Sequence, residues 1–426
     1  MNSPAPRRII HVPRRFVAEE WGGTETVILE ISRRQQADGF LPEIHTSMAL
    51  AHQRREEIGG VPVIRYPYCY PFLGLDAAAK AALDKKGGNL LSFRMLFGLR
   101  GLSNVRLFHA HALNRMGGMV RAAARRQRRP YVVSLHGGVF DVPPSEFAGM
   151  AKPTEGKFEW GKPFGALVGA RRVLDDADQV ICVGRNEAEK ASAKFGKDRV
   201  SYLPNGVDCA KFARGDGAAF RAKHGLPAEA LVVLTLSRID AQKNQMLLVE
   251  AFAKLKAART GPCRLVLIGP QTQPDYAQAL RETAARSGTS DSLLLLPGLR
   301  TDDPDLVNAY HAADVFVLPS IHEPFGIVVL EAWSAGLPVV CSGVGGLQAL
   351  TEHGRTALVF DPKAGDAADA LCAHLAALAA DPARARALGE AGREEARKCY
   401  DWTVVAARLE EIYRQAEARA TRRYGP

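Results

Sequence analysis

Two series of short apolar segments, separated by longer stretches of helical periodicity, constrain the fold of this chain more than any other feature. Five segments lie in the first half, at 8–12, 105–110, 131–135, 179–183 and 200–204. Six more follow, at 231–237, 264–269, 293–298, 314–319, 338–341 and 357–360. Because they are apolar throughout, they are typical of strands buried on both faces of a parallel sheet. The pattern predicts an α/β protein built from βαβ units.

The two series also predict two doubly wound domains, for which 426 residues provide enough chain. The Gly- and Asp-rich segment NGVDCAKFARGDG, at 205–217, separates the series and is predicted to be the linker. The expected divisions are an N-terminal domain at 1–208, a C-terminal domain at 209–400 and a terminal helix at 401–426 that packs back on the first domain. That helix is predicted from the helical spacing of Trp402, Val405, Leu409 and Ile412. Ligands of such sheets bind at the carboxyl ends of the strands, so chemistry is expected in a cleft between the domains.

Composition excludes several classes of protein. The hydrophobic fraction of 47% and the charged fraction of 24% are ordinary for a globular fold. The seven cysteines are scattered and form no CxxC pair, which favours reduced thiols in the cytosol over a disulfide framework or a zinc cluster. The apolar step near the N-terminus is too short for a signal peptide, and no apolar run approaches the roughly 18 residues of a membrane span. We therefore expect a cytoplasmic protein.

The positive charge is concentrated in the first half of the chain. Residues 1–215 contain 33 Lys and Arg against 21 Asp and Glu, whereas residues 216–426 contain 23 against 25. This asymmetry indicates an anionic partner, which could be a membrane leaflet, a nucleic acid or a phosphorylated acceptor.

Two basic segments are candidates for that contact. LLSFRMLFGLRGL, at 90–102, mixes apolar and basic residues as interfacial helices do, and RAAARRQRRP, at 121–130, places Arg121, Arg125 and Arg128 on one helical face. A core helix and a solvated helix remain the alternative interpretation of the same segments. Because aromatic residues that could stack on bases are not interleaved with the basic ones, we expect peripheral contact with the anionic inner face of the cytoplasmic membrane and no nucleic acid.

Two glutamates, Glu323 and Glu331, lie eight positions apart in HEPFGIVVLEAWSAGLPVV. A proline and a glycine enforce a turn after the preceding strand, so Glu323 is predicted in a loop at the strand's carboxyl end. A helix is then predicted to begin near Gly326 or Ile327, with unpaired N–H groups available to a ligand. Glu331 is the one charge in an otherwise apolar helix and needs a partner. Spacing alone leaves open a solvated loop glutamate and a helix-surface glutamate.

The same stretch carries a resemblance. E-P-F-G followed by L-E-A-x-x-x-G-x-P-V-V resembles the E-x7-E motif of the family-four retaining glycosyltransferases, which have the GT-B fold. Arg238 and Lys243, in SRIDAQKNQ, resemble the basic pair that clasps the donor diphosphate in that family, although Asn244 stands where the family usually has glycine. PNGVD at 204–208 resembles the family's domain junction. The glycine-rich segment 342–354 also resembles that family, and the whole likeness extends over residues 8 to 415.

Further matches lie in the first half. WGGTET resembles the family's G-G-x-E loop, with Gly22 and Gly23 against the donor phosphates or the acceptor and Glu25 in the acidic position. His136, which follows the segment 131–135 and precedes Gly137 and Gly138, resembles a histidine near the donor sugar and the reaction centre. The family often has Asp where this chain has Gly137.

His109 and His111, in FHAHAL, lie on or just past a strand. The sequence shows no further ligands at spacings that would make a metal site with them, so we expect structural or acceptor-side roles. The D-x-D spacings at 176–178 and 303–305 are interpreted as helix-start or loop acids.

The resemblance implies a retaining transfer of a hexosyl unit from a nucleoside diphosphate sugar, UDP- or GDP-linked, to a saccharide or lipid-linked acceptor in bacterial exopolysaccharide or lipopolysaccharide synthesis. It implies that Glu331 holds the ribose, that Arg238 and Lys243 neutralise the diphosphate, and that the base lies near Gly298 and Leu299. The sugar hydroxyls would contact Glu323 and the backbone of Phe325, Gly326, Ile327 and Val328. The implied catalytic residues are Glu323, His136, Arg238 and Lys243. With two cations at the diphosphate, neither a cofactor nor a metal ion is expected.

Other functions remain as alternatives. A GT-B phosphorylase or a nucleotide-sugar epimerase would share the fold, and a non-enzymatic basic membrane-binding protein would share the charge. Dehydrogenase and P-loop chemistry are disfavoured because no GxGxxG follows the first strand and no Walker motif is present. The resemblance favours a front-face attack in which the leaving phosphate takes the acceptor proton. Double displacement between two carboxylates is the alternative mechanism.

Overall fold

A computed structural model describes residues 7–18, 21–85, 87–137 and 152–425. The chain forms two compact units, one made of Met1–Pro204 with Val405–Pro426 and the other of Asn205–Val404. The segment 205–217, predicted to be a linker, belongs to the second unit, where Val207, Cys209 and Phe212 are part of the hydrophobic core. In the described part of the chain, no helix combines the length and the apolarity needed to cross a membrane.

The first unit is built on a sheet of eight described strands. They are β1 Arg8–Val12, β2 Leu41–Ser47, β3 Arg55–Ile58, β4 Val61–Tyr66, β5 Val105–Ala110, β6 Tyr131–Leu135, β7 Gln179–Cys182 and β8 Val200–Tyr202. Their order is β3-β4-β2-β1-β5-β6-β7-β8. Only the edge strand β3 pairs in the antiparallel sense among them. The other seven strands therefore bring their carboxyl ends to one edge of the sheet.

Helices cover this sheet. They are α1 Gly23–Ala37, α2 Ala77–Lys85, α3 Phe93–Arg100, α4 Asn114–Gln127, α5 Lys162–Val168 and α6 Arg185–Phe195, with a 3₁₀ turn at Lys152–Thr154. The main core of the unit lies between β1, β5, β6 and β7 and the helices α3 and α4.

The second unit has six parallel strands. They are β9 Leu231–Leu236, β10 Cys263–Ile268, β11 Leu293–Leu296, β12 Val315–Leu318, β13 Val339–Ser342 and β14 Leu358–Phe360, in the order β11-β10-β9-β12-β13-β14. Its helices are α7 Cys209–Phe212, α8 Gly217–Lys223, α9 Gln245–Ala258, α10 Pro274–Arg286, α11 Pro304–Ala312, α12 Ile327–Ser334, α13 Gly346–Leu350, α14 Ala367–Ala380 and α15 Pro382–Glu395. A 3₁₀ turn at Ser290–Ser292 and a π-helical turn at Ala396–Tyr400 complete it, and α16, Trp402–Tyr424, follows.

All eleven predicted strands are present within two residues of their predicted ends, whereas β2, β3 and β4 were not predicted. The missed strands carry charges that the fold pairs. Glu43 of β2 accepts hydrogen bonds from Arg8 at 2.9 and 2.5 Å, and Arg65 of β4 donates to the carbonyl of Phe16 at 2.6 Å and pairs with Glu56. Because these charges interrupt the apolar pattern, the segments resemble polar loops in the sequence and were not predicted as strands.

The last helix, α16, packs against the first unit through an apolar face. Its buried residues within that unit are Val405, Leu409, Ile412, Tyr413, Ala416 and Ala420. Arg106 of β5 lies beneath the helix with only 4% of its surface exposed. It donates two hydrogen bonds of 2.7 Å to the Glu410 carboxylate and two more, of 3.0 and 2.9 Å, to Glu417. Because bidentate hydrogen bonds have a fixed geometry, the two carboxylates of α16 hold the helix in one position over Arg106.

Replacing Arg106 should therefore weaken the first unit. We expect Arg106→Met to lower the free energy of unfolding by about 2–3 kcal/mol, less than for a fully buried pair because the two carboxylates are themselves about a quarter exposed. Arg7→Met is the matched control, because Arg7 also contacts Glu417, at 3.5 Å, with 46% of its side chain exposed. That change should cost less than about 1 kcal/mol. Urea denaturation measures both, and equal losses would contradict the assigned role of Arg106.

Candidate functional site

The loop after β12 holds Glu323 against Lys243. The side chain of Glu323 is buried, and its Oε2 accepts a hydrogen bond from the Lys243 ammonium at 2.6 Å. Ser320 lies 3.5 Å from the same oxygen. The structure thus brings together two of the residues that the sequence singled out, one following β9 and the other following β12. The ammonium and the carboxylate neutralise each other in the free protein.

Glycines of the 342–354 segment brace this loop. The N–H of Gly346 donates to the Glu323 carbonyl at 2.8 Å. A Cβ at Gly345 would lie 2.4 Å from that carbonyl oxygen, and one at Gly346 would lie 2.2 Å from the Pro324 carbonyl oxygen. Any side chain there would push the Glu323 loop away, so the glycines are required by close backbone approach. The resemblance identified this segment without revealing its contact with Glu323.

A cavity of about 630 Å³ opens beside the loop. Its lining includes Ile321, His322, Gly345 and Lys363, which follow the carboxyl ends of β12, β13 and β14. The volume is in the range of small-molecule sites. It can accept a ligand at the edge of the sheet where parallel α/β folds bind one.

Arg238 follows β9 and lies beside Asp240, which the sequence reasoning missed. The guanidinium is 3.0 Å from Asp240 Oδ2 and 3.3 Å from the Gln242 side chain, and 48% of the Arg238 side chain is exposed. Asp240 is buried and also accepts hydrogen bonds from the Lys243 N–H at 3.1 Å and from Thr272 at 3.2 Å. It therefore shapes the turn that carries both cations. The signal that could have identified Asp240 was the presence of an acid between the two basic residues in RIDAQK.

Asn244 explains the departure from the family's glycine. Its backbone is left-handed, with φ 55° and ψ 38°, immediately before α9. Among residues other than glycine, asparagine is one of the few that adopt this conformation readily. The turn after Lys243 is therefore compatible with asparagine.

Glu331, on α12, has the partner that its apolar surroundings require. The Tyr310 hydroxyl of α11 donates to its Oε2 at 2.6 Å. Burial raises the pKa of Glu331 to about 7, although the Tyr310 hydrogen bond and the charge of Lys211 act in the opposite direction. The neighbouring carboxylate and burial both raise the pKa of Tyr310. A carboxylate that is half protonated near neutral pH has remaining capacity for ligand hydroxyl groups, and Tyr310 was not predicted from the sequence.

The other residues of the second unit that were assigned to donor binding lie at the same edge of its sheet. Gly298 follows β11, and a Cβ there would lie 2.8 Å from Pro270, which follows β10. Leu299 packs against the core of the unit. Phe325 is buried in that core, and Gly326, with φ 95°, precedes α12. The helix begins at Ile327, followed by Val328, in agreement with the predicted start near Gly326 or Ile327.

In the first unit, Gly22 and Gly23 form the start of α1. Gly22 is the N-cap residue and Gly23 the first helical residue, while Thr26 donates to the Gly22 carbonyl from both its N–H and its hydroxyl at 3.1 Å. Glu25, in the first turn, is buried, and burial raises the pKa of its carboxyl. The Arg15 guanidinium lies 3.9 Å from it. The structure thus gives the G-G-x-E loop a helix N-terminus with a buried acid in its first turn.

His136 follows β6 and joins a cluster of buried histidines. Its Nε2 lies 2.9 Å from Nδ1 of His111, and Nε2 of His111 lies 3.0 Å from Nδ1 of His11. Burial lowers the pKa of His11 and of His136 to about 4. His11, at the end of β1, was missed by the sequence reasoning. The available signal was a histidine near the carboxyl end of each of three neighbouring parallel strands. Gly138 lies outside the described residues.

His109 has a structural position, with its ring nitrogens 2.8 Å from the Tyr413 hydroxyl and 2.7 Å from the Ser134 hydroxyl. His11, His109 and His111 present nitrogen atoms within 4.8 Å of one another, a spacing compatible with a metal ion. The sequence did not indicate this grouping, because His11 lies nearly one hundred positions before the other two.

The prediction of a basic helical face at 121–130 is wrong. Arg121 is buried and hydrogen-bonded to Asp176, with Nε at 2.7 Å, and Arg125 lies 3.3 Å from the same carboxylate. Arg128 is the residue after α4, with φ 53°. Asp176 was one of the D-x-D acids. In the other pair, Asp303 caps α11 by accepting from the N–H of Asp305 at 2.9 Å, as a helix-start acid does.

Comparison with known proteins identifies related families in both units. Residues 22–206 match the model of a glycosyl transferase 4-like domain, and residues 216–395 match that of glycosyl transferases group 1. A D-inositol 3-phosphate glycosyltransferase of Segniliparus rotundus is 31% identical over 60% of this chain, and the match covers only 56% of that relative's length. The protein of the same name from Streptomyces avermitilis is 28% identical, with 97% of this chain and 90% of the relative covered.

Solved structures agree on the fold. Anabaena HepE, crystallised in complex with UDP and glucose, superposes with a TM-score of 0.68 at 18% identity and covers 95% of this chain and 98% of its own. The GT-B fold expected from the resemblance is confirmed. The chain therefore carries a glycosyl transferase 4-like domain followed by a domain of the glycosyl transferases group 1 family.

Proposed function

We propose that this protein is a retaining glycosyltransferase that moves a hexosyl unit from a nucleoside diphosphate sugar to a saccharide or lipid-linked acceptor. Bacterial exopolysaccharide or lipopolysaccharide synthesis is the process that we assign to it. The observation that carries the proposal is the group formed by Arg238, Lys243 and Glu323 at the carboxyl edge of the second sheet, with Glu331 on the helix that follows. The UDP bound to HepE supports a UDP-linked donor as the first to test.

The charges suit a diphosphate leaving group. Arg238 presents a half-exposed planar fork, and Lys243 exchanges its carboxylate partner, Glu323, for a phosphate oxygen when the donor binds. Cations in place before the reaction stabilise the charge that develops as the nucleoside diphosphate departs. Glu323, released from Lys243, then accepts a hydrogen bond from the sugar. With these cations in place we propose that no metal ion or cofactor is needed.

Retention follows in this proposal from attack on the face that the diphosphate leaves, with the leaving phosphate taking the acceptor proton. The ion pair of Glu323 with Lys243 favours a binding role for this carboxylate over that of a nucleophile. Glu331 holds the ribose, and the base lies against Gly298 and Leu299. A product with the donor's anomeric configuration and no glycosylated Glu323 supports this mechanism.

Nucleotide binding is the direct test of the donor site. UDP, GDP or ADP at one hundred times its dissociation constant should stabilise the protein by roughly 2.7 kcal/mol in a thermal-shift measurement. We expect one nucleotide to do so, with no effect of EDTA, and Glu331→Gln to remove most of the stabilisation. The exposed Glu250, on α9 of the same unit, supplies the control variant Glu250→Gln, which should respond like the wild type.

No stabilisation by any of the three nucleotides would sink the donor-site proposal. Transfer assays with saccharide, lipid-linked and inositol 3-phosphate acceptors then separate the competing functions. A strict requirement for inorganic phosphate would indicate a phosphorylase, and conversion of the donor without any acceptor would indicate an epimerase.

Donor binding should depend on pH through Glu331. Its pKa of about 7 means that the carboxyl is largely protonated at pH 6 and largely ionised at pH 8. Ribose hydroxyls donate to the ionised form, so donor affinity should rise with pH by up to about tenfold over this interval. Calorimetric titration with an intact nucleotide sugar, whose diphosphate does not titrate in this range, measures the slope. Glu331→Gln should flatten it, and an unchanged slope in that variant would assign the effect to another group.

Exposed apolar and basic side chains lie together on α3 and the neighbouring segments of the first unit. Among the described residues, most of the exposed large apolar side chains belong to an aromatic patch formed by Leu73, Phe93, Phe97, Phe158, Trp160 and Leu167. The N–H of Leu73 donates to the Phe158 carbonyl at 3.0 Å, and the ring of Phe93, on α3, contacts that of Phe164, on α5, the helix that carries Leu167. Exposed Arg94, Arg100 and Lys162 lie in the same segments. We propose that this patch docks on the anionic inner face of the cytoplasmic membrane.

Vesicle binding tests the docking surface. The wild type should bind vesicles that contain anionic lipid at low salt and release them as salt increases. Phe93→Ser with Phe97→Ser should lose about tenfold or more in affinity, because both aromatic side chains are more than half exposed. Leu41→Ser removes an exposed apolar side chain outside the patch and should bind like the wild type. Failure of the wild type to bind overturns the membrane proposal and leaves the transferase proposal standing.

A further inference from the structure

Three histidines and one glutamine of the first unit form a continuous row of hydrogen bonds. Oε1 of Gln35, on α1, lies 2.9 Å from Nε2 of His11. His11 continues to His111 at 3.0 Å, and His111 continues to His136 at 2.9 Å. His11 and His111 are each bonded through both ring nitrogens. The row connects the buried interior beneath α1 to His136, the residue that follows β6.

All hydrogen bonds of the row must run in the same donor-to-acceptor direction. Burial lowers the pKa of all four histidines of the cluster, so each ring is neutral near pH 7. A neutral imidazole has one donor nitrogen and one acceptor nitrogen. If Nε2 of His11 donates to Gln35, then Nδ1 of His11 accepts from Nε2 of His111. By the same step, Nδ1 of His111 accepts from Nε2 of His136.

The orientation of Gln35 decides that direction. Its amide nitrogen lies 3.3 Å from the Tyr413 hydroxyl, which lies 2.8 Å from Nδ1 of His109. The amide N–H donates to Tyr413. We assign the tyrosine as the donor to His109, so that Nε2 of His109 donates to Ser134 at 2.7 Å. This leaves Oε1 of Gln35 to accept from His11. A reversed amide would reverse every bond of the row.

We propose that Gln35 is a positioning residue that sets the tautomer of His136 through this row, so that Nδ1 of His136 accepts a hydrogen bond from a hydroxyl group of a sugar substrate. The inference rests on the proposed function and adds a determinant to its reaction centre. A histidine of the opposite tautomer would present a donor there and would favour a carbonyl or phosphate oxygen instead of a hydroxyl group. Gln35 thus decides which nitrogen of His136 carries the proton, although His11 and His111 lie between the two residues.

A metal ion is the other interpretation of the close histidines, and the hydrogen bonds argue against it. All six ring nitrogens of His11, His109 and His111 already have a partner in the first unit. An ion would have to displace several of these bonds at once. The hydrogen bonds already account for the positions of these nitrogens without an ion.

Nitrogen-15 NMR of histidine side chains tests the tautomers in the ligand-free protein, independently of any activity. We expect His11, His111 and His136 to carry the proton on Nε2. Protonation of Nδ1 in any of them overturns the inference, as does binding of one equivalent of Zn²⁺ to the three-histidine cluster with loss of the His11 and His111 signals.

The matched pair Gln35→Met and Gln36→Met then tests the connection to the reaction. Gln36 is the exposed neighbour on the same helix and donates to the Gly60 carbonyl at 2.7 Å. Gln35→Met should give a mixture of His136 tautomers and lower kcat by about tenfold or more, because a histidine in the wrong tautomer cannot perform its role. The nucleotide thermal shift should stay unchanged, and Gln36→Met should change neither quantity.

The outcomes separate the two claims. An unchanged tautomer or an unchanged kcat in a folded Gln35→Met protein overturns the inference. If Gln35→Met does not fold, the wild-type NMR spectrum alone decides the direction of the row. If the wild type shows the expected tautomers and transfers no sugar to any acceptor, the proposed function fails while the assigned hydrogen-bond direction is upheld.

Discussion

Parallel strand pairing is the constraint on which the other features of this protein depend. It sends the carboxyl ends of neighbouring strands to one edge of each sheet, and residues that follow different strands then meet in space. In the second unit this edge brings Lys243, after β9, to Glu323, after β12. In the first unit the same geometry collects His11, His109 and His136 from β1, β5 and β6. Residues nearly one hundred positions apart become neighbours by this rule alone.

Buried polar groups at these edges are held by partners instead of being left unpaired. Glu323 has Lys243, Glu331 has Tyr310, and the histidines have one another. Each pairing satisfies a group that would be costly to bury alone. In the proposed function, two of these pairings change when the donor binds: Lys243 exchanges the Glu323 carboxylate for phosphate, and Glu331 accepts further hydrogen bonds.

The sequence predicted the parts of the fold that depend on local pattern. Apolar segments identified eleven strands, and the proline and glycine before Ile327 located the start of α12. It passed over the signals that pointed to Asp240 and His11, and it could not identify Tyr310, because the role of Tyr310 comes from a contact between distant segments. The same reason explains the error at Arg121, which helical spacing places on a free face and which tertiary structure pairs with Asp176. Charged strands such as β2 were missed since their charges are neutralised by other strands.

The position of the last helix has a consequence for biosynthesis. Val405–Pro426 belongs to the first unit, and its Tyr413 completes the hydrogen bonds of His109 and Gln35. A ribosome makes residues 8–204 first, then the whole of the second unit, and only afterwards the helix that covers Arg106. The apolar and charged surface of the first unit therefore stays uncovered while about two hundred residues are added, which takes some 10–40 s at typical elongation rates. The earliest part of the chain to emerge is the last to finish folding.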